Sequence, residues 1–167
     1  MEKINKIGEG KTLRIISDSP QFTRSLGKLI GLYAEAGDII CLEGELGAGK
    51  TCLVSGIAEG LGINEGIFSP SFIIVAVHRG KLPLFHIDLY RLEEGEITKL
   101  GLEDYLYDEG VCAIEWAEKA KPLIFSDHLW VNISYQGNDK RLLTFQSRGN
   151  RYDKLLEELR EFARLST

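Results

Sequence analysis

The sequence predicts a single α/β domain: a mixed sheet flanked by helices and completed by a C-terminal hairpin. Three observations predict it. Asp38–Glu43 is a nearly continuous apolar run of strand length, the pattern of a central strand covered on both faces. A glycine-rich stretch and then an amphipathic segment, Lys50–Leu61, follow it directly. Near the end, His128–Tyr135 and Arg141–Gln146 are β-prone segments around Gly137-Asn138-Asp139, a hairpin composition.

The other elements follow in order. Leu13–Ile16 reads as a short strand, and Ser19-Pro20 supplies an N-cap with proline at the first helical position. Phe22, Leu26, Leu29, Ile30 and Tyr33 then recur at helical spacing, with Gly37 placed to close the helix. The Lys50–Leu61 helix is ended by Gly62. Ile73–His78 and Leu84–Asp88, joined by Arg79-Gly80-Lys81, predict a second hairpin. Glu93–Tyr105 reads as helix in short pieces interrupted at Gly101. Val111–Ile114 is another buried-strand run, followed at once by Glu115-Trp116. Asp153–Leu165 carries Leu155, Leu156, Leu159 and Phe162 on one helical face. There is no internal repeat, low-complexity tract or linker, so residues 1–167 read as one domain, with a helix over 151–167 as an appendage.

Composition narrows the function. A net charge of -5 argues against a DNA-binding module and against tight tRNA binding by this chain alone. Cys41, Cys52 and Cys112 form no C-x-x-C or Cys/His cluster, which speaks against a zinc site or a disulfide framework. Met1–Lys6 is charged and lacks the apolar stretch of a signal peptide. No run of about 18 apolar residues is present to span a membrane. The expectation is a cytoplasmic protein with no membrane partner.

Gly44-Glu45-Leu46-Gly47-Ala48-Gly49-Lys50-Thr51 matches G-x-x-x-x-G-K-[ST] in full. Glycines let the backbone curl so that successive N–H groups point at phosphate oxygens, and the following helix adds its positive dipole end. Lys50 can reach the β- and γ-phosphates, and the Thr51 hydroxyl can ligate magnesium. A tight strand–helix turn with an incidental lysine is the rival reading. The apolar strand before the loop and the helix after it weigh against that rival. The fold expectation is therefore of the P-loop NTPase type, with ATP and Mg²⁺ as ligands.

Phosphoryl chemistry needs a carboxylate near the metal and a group to orient water. Glu115 ends one apolar strand and is favoured for magnesium, directly or through water. Asp88 ends another, with Arg91 three residues on, and is kept as a second metal or water contact. His86 reads as a half-buried strand residue without a catalytic role. Ser69-Pro70-Ser71-Phe72 suits either a Ser-Pro turn or a switch that senses the γ-phosphate, and both stay open.

Together these pieces resemble the bacterial TsaE (YjeE) family, in the correct order from about Ser19 to Arg141. The resemblance rests on Gly37-Asp38, the Gly44–Thr51 loop and Ser69-Pro70-Ser71-Phe72. It continues through His86-Ile87-Asp88-Leu89-Tyr90-Arg91-Leu92, Gly101-Leu102 and Glu115-Trp116-Ala117-Glu118. It implies a slow ATPase acting with a carbamoyl-transfer subunit and that subunit's paralogue. Those partners install threonylcarbamoyl on the adenosine beside the anticodon, and tRNA is met only through the complex. The resemblance further implies Thr51 and Glu115 as magnesium ligands and Lys50 with the loop backbone as phosphate contacts. Glu118 and Arg141 fall near nucleotide contacts, Asp88 supports hydrolysis, and Trp116 packs near the nucleotide, against a partner or in the core. Two positions depart from the family pattern: Ser71 stands where threonine is usual, keeping the hydroxyl, and Cys52 replaces a second threonine after the loop. A small-molecule kinase and a nucleotide-gated binding module are the competing readings. An Asn-Lys-x-Asp guanine signature is absent, which disfavours a GTPase.

Overall fold

The computed structural model describes residues 11–67, 73–107 and 109–166. In chain order these form β1 (Thr12–Ser17), α1 (Pro20–Leu32), β2 (Ile39–Gly44), α2 (Lys50–Gly60), β3 (Val75–Arg79) and β4 (Pro83–Asp88). They continue with α3 (Glu94–Ile97), α4 (Glu103–Leu106), β5 (Val111–Glu115), a 3₁₀ segment at Ala117–Leu123, β6 (His128–Tyr135), β7 (Arg141–Arg148) and α5 (Asn150–Leu165). All seven strands join one sheet in the order β1-β7-β6-β2-β5-β4-β3. The central β6, β2, β5 and β4 run parallel, while β3, β7 and β1 pair antiparallel at the two sides. Both predicted hairpins, β3–β4 and β6–β7, are present.

Period-two alternation sorts the strands' apolar residues into two cores. Ile40 and Leu42, with Val111 and Ala113, face α1, α2 and α5. Ile39 and Cys41, with Cys112 and Ile114, face the short helices and the 3₁₀ segment. Strands buried on both faces read as unbroken apolar runs, which is why β2 and β5 stand out in the sequence.

Local chemistry accounts for the start of α1 and the end of α2. Ser19 caps α1 through Oγ, accepting the Phe22 N–H at 3.1 Å, with Pro20 as the first helical residue. At the end of α2, Gly62 takes φ 75°; its N–H donates to Glu59, and the Ile63 N–H to Ala58, both at 3.0 Å, the paired bonds of a Schellman ending. α1 departs from expectation: it ends at Leu32, not next to Gly37. Arg151 of α5 donates to the Tyr33 carbonyl at 2.6 Å and to Asp38 at 2.7 Å, satisfying the frayed end from a distant element. α5 starts at Asn150, three residues before the predicted start, and buries Tyr152, Leu155, Leu156 and Leu159 in the α1–α2 core. Among the described residues no helix is long and apolar enough to cross a membrane.

α1 and α2 meet backbone to backbone. A Cβ added at Gly27 would lie 2.2 Å from the Leu53 carbonyl oxygen, and one at Gly31 would lie 2.2 Å from that of Ile57. From the other side, a Cβ at Gly56 would lie 2.1 Å from the Arg24 oxygen, and one at Gly60 would lie 2.3 Å from that of Lys28. The contacts advance together along both helices, so the two run parallel with their N-termini at the same end. Gly56→Ala is therefore expected to destabilise the fold by about 1–3 kcal/mol through overpacking. This should outweigh the roughly 1 kcal/mol that alanine gains over glycine inside a helix. Gly95→Ala, with nothing within 4 Å of the added carbon, is the control and should be neutral or mildly stabilising. Urea midpoints of the two variants check the contrast.

Candidate functional site

The site gathers where β2, β5 and β4 end side by side. The β2–β5 register sets Leu42 opposite Glu115, and the β4–β5 register sets Asp88 opposite Glu115. Alternation then turns His86 and Asp88 of β4, and Glu115 of β5, towards the face that α2 covers. Between β2 and α2 the chain turns through Gly47 and Gly49, whose φ values of 79° and 116° are costly for any residue with a Cβ. Gly44 is needed for a different reason: a Cβ there would lie 2.5 Å from the Ile133 carbonyl oxygen.

Lys50, 4% exposed, folds back over the loop. Its Nζ donates to the carbonyls of Gly44 at 2.5 Å and Glu45 at 2.9 Å, and lies 4.3 Å from the Trp116 ring centroid. Burial lowers its pKa, opposed by the nearby carboxylates of Glu115, Glu118 and Asp88. Thr51 Oγ1 donates its one hydrogen to Glu115, 2.9 and 3.0 Å from the two carboxylate oxygens. On the far side His86 Nε2 lies 2.5 Å from Glu115 Oε2. Asp88 Oδ1 accepts the Tyr90 N–H at 3.0 Å. Lys50, Thr51, Asp88, Arg91, Glu115 and Trp116 line one cavity of about 580 Å³.

A second cavity, about 570 Å³, lies on the other side of the loop between Ser19, Pro20, Thr23, Cys52 and Arg141. Arg141 Nε donates to the Ala48 carbonyl at 3.2 Å, and its guanidinium packs 4.1 Å from the Tyr135 ring centroid. The Tyr135 hydroxyl donates in turn to Leu46 at 3.2 Å, so the β6–β7 hairpin braces the loop at two carbonyls.

The structure brings Lys50, Thr51, Asp88 and Glu115 together and sets Arg141 against the loop's opposite flank. Glu118 stands apart, beyond Trp116, lining a third cavity with Glu43 and Glu45. Ser71, with its neighbours 69–72, lies outside the described residues. Three contributions escaped the sequence reading. His86 is fully buried and joined to Glu115; its spacing of two from Asp88 was the available signal, since it puts both on one face. Trp116 adopts a left-handed backbone, φ 60° and ψ 39°, which turns the chain sharply after Glu115. Lys119 fastens the segment after β4, donating to the carbonyls of Tyr90 at 2.7 Å and Leu92 at 3.1 Å. Tyr90 packs on Trp116 with ring centroids 5.0 Å apart.

Fold and site define a mixed α/β protein whose glycine-rich strand–helix loop faces two acids on neighbouring parallel strands. The model of the family described as threonylcarbamoyl adenosine biosynthesis protein TsaE matches residues 17–143. The tRNA threonylcarbamoyladenosine biosynthesis protein TsaE of Bacillus subtilis is 43% identical over 150 residues, covering 89% of this chain and 94% of that one. Its counterpart from a Nostoc species is 39% identical over 143 residues, covering 83% of this chain and 82% of its own. The crystal structure of YdiB from Bacillus subtilis superposes with a TM-score of 0.81 at 38% identity, covering 95% of this chain and 99% of that chain. The chain belongs to the TsaE family, which serves tRNA threonylcarbamoyladenosine biosynthesis.

Glu118 gives the site a pH-dependent signature. Burial raises its pKa above the usual 4.5, and the Glu43 charge adds to this; a hydrogen bond from its own backbone and the Lys50 and Lys119 charges oppose it. Its Oε2 is buried without a hydrogen-bond partner among the described residues. The folded state thus favours the neutral acid, a contribution fully present below pH 4.5 and lost as pH rises through the folded-state value. Glu118→Gln should therefore raise the melting temperature at pH 7, with the gain shrinking as pH falls towards 4.5. A gain that does not vary with pH would contradict this.

Proposed function

We propose that the chain binds ATP with magnesium and hydrolyses it slowly to ADP and phosphate. In this reading the cycle sustains repeated threonylcarbamoylation of the adenosine beside the tRNA anticodon, carried out by two cytoplasmic partner subunits. One partner performs the carbamoyl transfer and the other is its paralogue. The carrying observation is the Thr51 hydroxyl held between both oxygens of Glu115 at the first turn of α2, directly after the glycine loop.

The residues fit these ligands. Thr51 and Glu115 offer hard oxygen donors suited to magnesium, which takes few protein ligands alongside phosphate oxygens. Magnesium held there would neutralise charge on the β- and γ-phosphates. Loop N–H groups and the N-terminus of α2 bind phosphate oxygens. Lys50 exchanges the Gly44 and Glu45 carbonyls for phosphate. Asp88, opposite Glu115, orients the attacking water. Arg141 and Glu118 flank the loop, with Arg141 and Ser19 walling the cavity that takes the nucleoside end. The net charge of -5 favours meeting tRNA through the complex rather than alone.

Three outcomes test this reading. ATP with magnesium at about 100 times its dissociation constant should stabilise the fold by roughly 2.7 kcal/mol, read as a higher melting temperature. Lys50→Ala should remain folded and lose about 10²–10³-fold in hydrolysis, as removal of one preorganised charge-stabilising donor does elsewhere. A calorimetric titration showing no heat with ATP would end the proposal. The third outcome concerns the cycle: partner affinity should differ between ATP and ADP forms, because a nucleotide shifts an equilibrium only by its differential affinity. Equal affinities, with tRNA modification indifferent to this chain beyond one turnover, would leave a nucleotide-binding protein without this role.

A further inference from the structure

Glu115 is held from two sides, and the second holder lies deep in the sheet. We propose that His86 is a positioning residue, whose imidazole fixes the Glu115 carboxylate in the orientation that serves the cation beside Thr51. The inference rests on reading Thr51 and Glu115 as the cation's residues.

Geometry carries it. His86 has no solvent exposure, and its strand partner on β5 is Ala113, two residues before Glu115 on the same face. Its Nε2 reaches Glu115 Oε2 at 2.5 Å, while Thr51 Oγ1 approaches both carboxylate oxygens from the loop side. For Glu115 to serve a cation its carboxylate must accept here, which requires Nε2 to carry the hydrogen. A glutamate's last torsion is otherwise broad, and donors on two sides remove that freedom. The other ring nitrogen, Nδ1, is buried with no hydrogen-bond partner among the described residues. A side chain present only to fill this volume would be better apolar, because an unpartnered buried nitrogen is unfavourable. Among the described residues, the polar character of the ring is directed at Glu115 alone. Groups that orient a metal-binding side chain in this way govern affinity for the ion without touching it.

The readout is the ratio of ADP affinity in magnesium to that in chelator, measured by calorimetry on the full chain. His86→Leu should reduce this ratio about 10–100-fold, nearly all of it through the magnesium arm. His86→Gln, whose amide N–H₂ can reach the same carboxylate, should restore most of it. A purely packing role predicts the opposite order, with leucine tolerated and glutamine not, and that order would overturn the inference. Should His86→Leu fail to fold, ¹⁵N-histidine spectra of the wild type decide. The His86 signal must show a protonated Nε2 that shifts when magnesium is added to the ADP complex; an unprotonated Nε2 or an unmoved signal overturns the inference. Glu115→Ala separates the two levels of argument. If it leaves the ratio intact, the cation reading itself fails and takes His86 with it. If it removes the ratio while His86→Leu keeps it, only the role of His86 is lost.

Discussion

The parallel pairing of β5 with β2 on one side and β4 on the other is the constraint on which the site depends. Hydrogen-bonded register is discrete: a slip of one residue would turn Glu115 to the opposite face, away from α2. With Leu42 and Asp88 both opposite Glu115, β4 and β5 finish level while β2 runs two residues further into the loop, so the loop, the acid and the second acid come into reach together. Apolar cores on both faces enforce that register, since Val111 and Ala113 would otherwise exchange places with Cys112 and Ile114. The chemistry at the rim is thus set by packing a few residues below it.

Burial around this rim is compensated pair by pair. Glu115 is removed from water yet receives Thr51 and His86, and Lys50 rests on two carbonyls and an indole face. Two atoms at the rim are left without a partner among the described residues, His86 Nδ1 and Glu118 Oε2, and for Glu118 burial also raises the pKa.

Much of this was legible in the sequence because much of it is local. The loop announces itself through glycine spacing, β2 and β5 through continuous apolar runs, and α1 through its serine cap and proline. Glu115 could be read as a site residue because it directly follows a buried strand. What stayed hidden depended on distant partners. Nothing near Tyr33 in the sequence shows that Arg151 will take its carbonyl, so Gly37 looked like the natural end of α1. His86 acquires its meaning only once the β4–β5 register exists. Gly27, Gly31, Gly56 and Gly60 are merely weak helix formers until the two helices are placed together, when each proves to be the only residue type that fits.

That glycine contact also reaches beyond packing. Ser19 and Pro20 at the head of α1, and Gly49 and Cys52 at the head of α2, form facing walls of the second cavity. Side-chain interfaces breathe as rotamers change, but here main chain rests on main chain, with no rotamer to adjust. The cavity's width is therefore gauged like a fixed caliper. Whatever enters it must match an opening that the helices hold constant, and adaptation is left to the hairpin that carries Arg141.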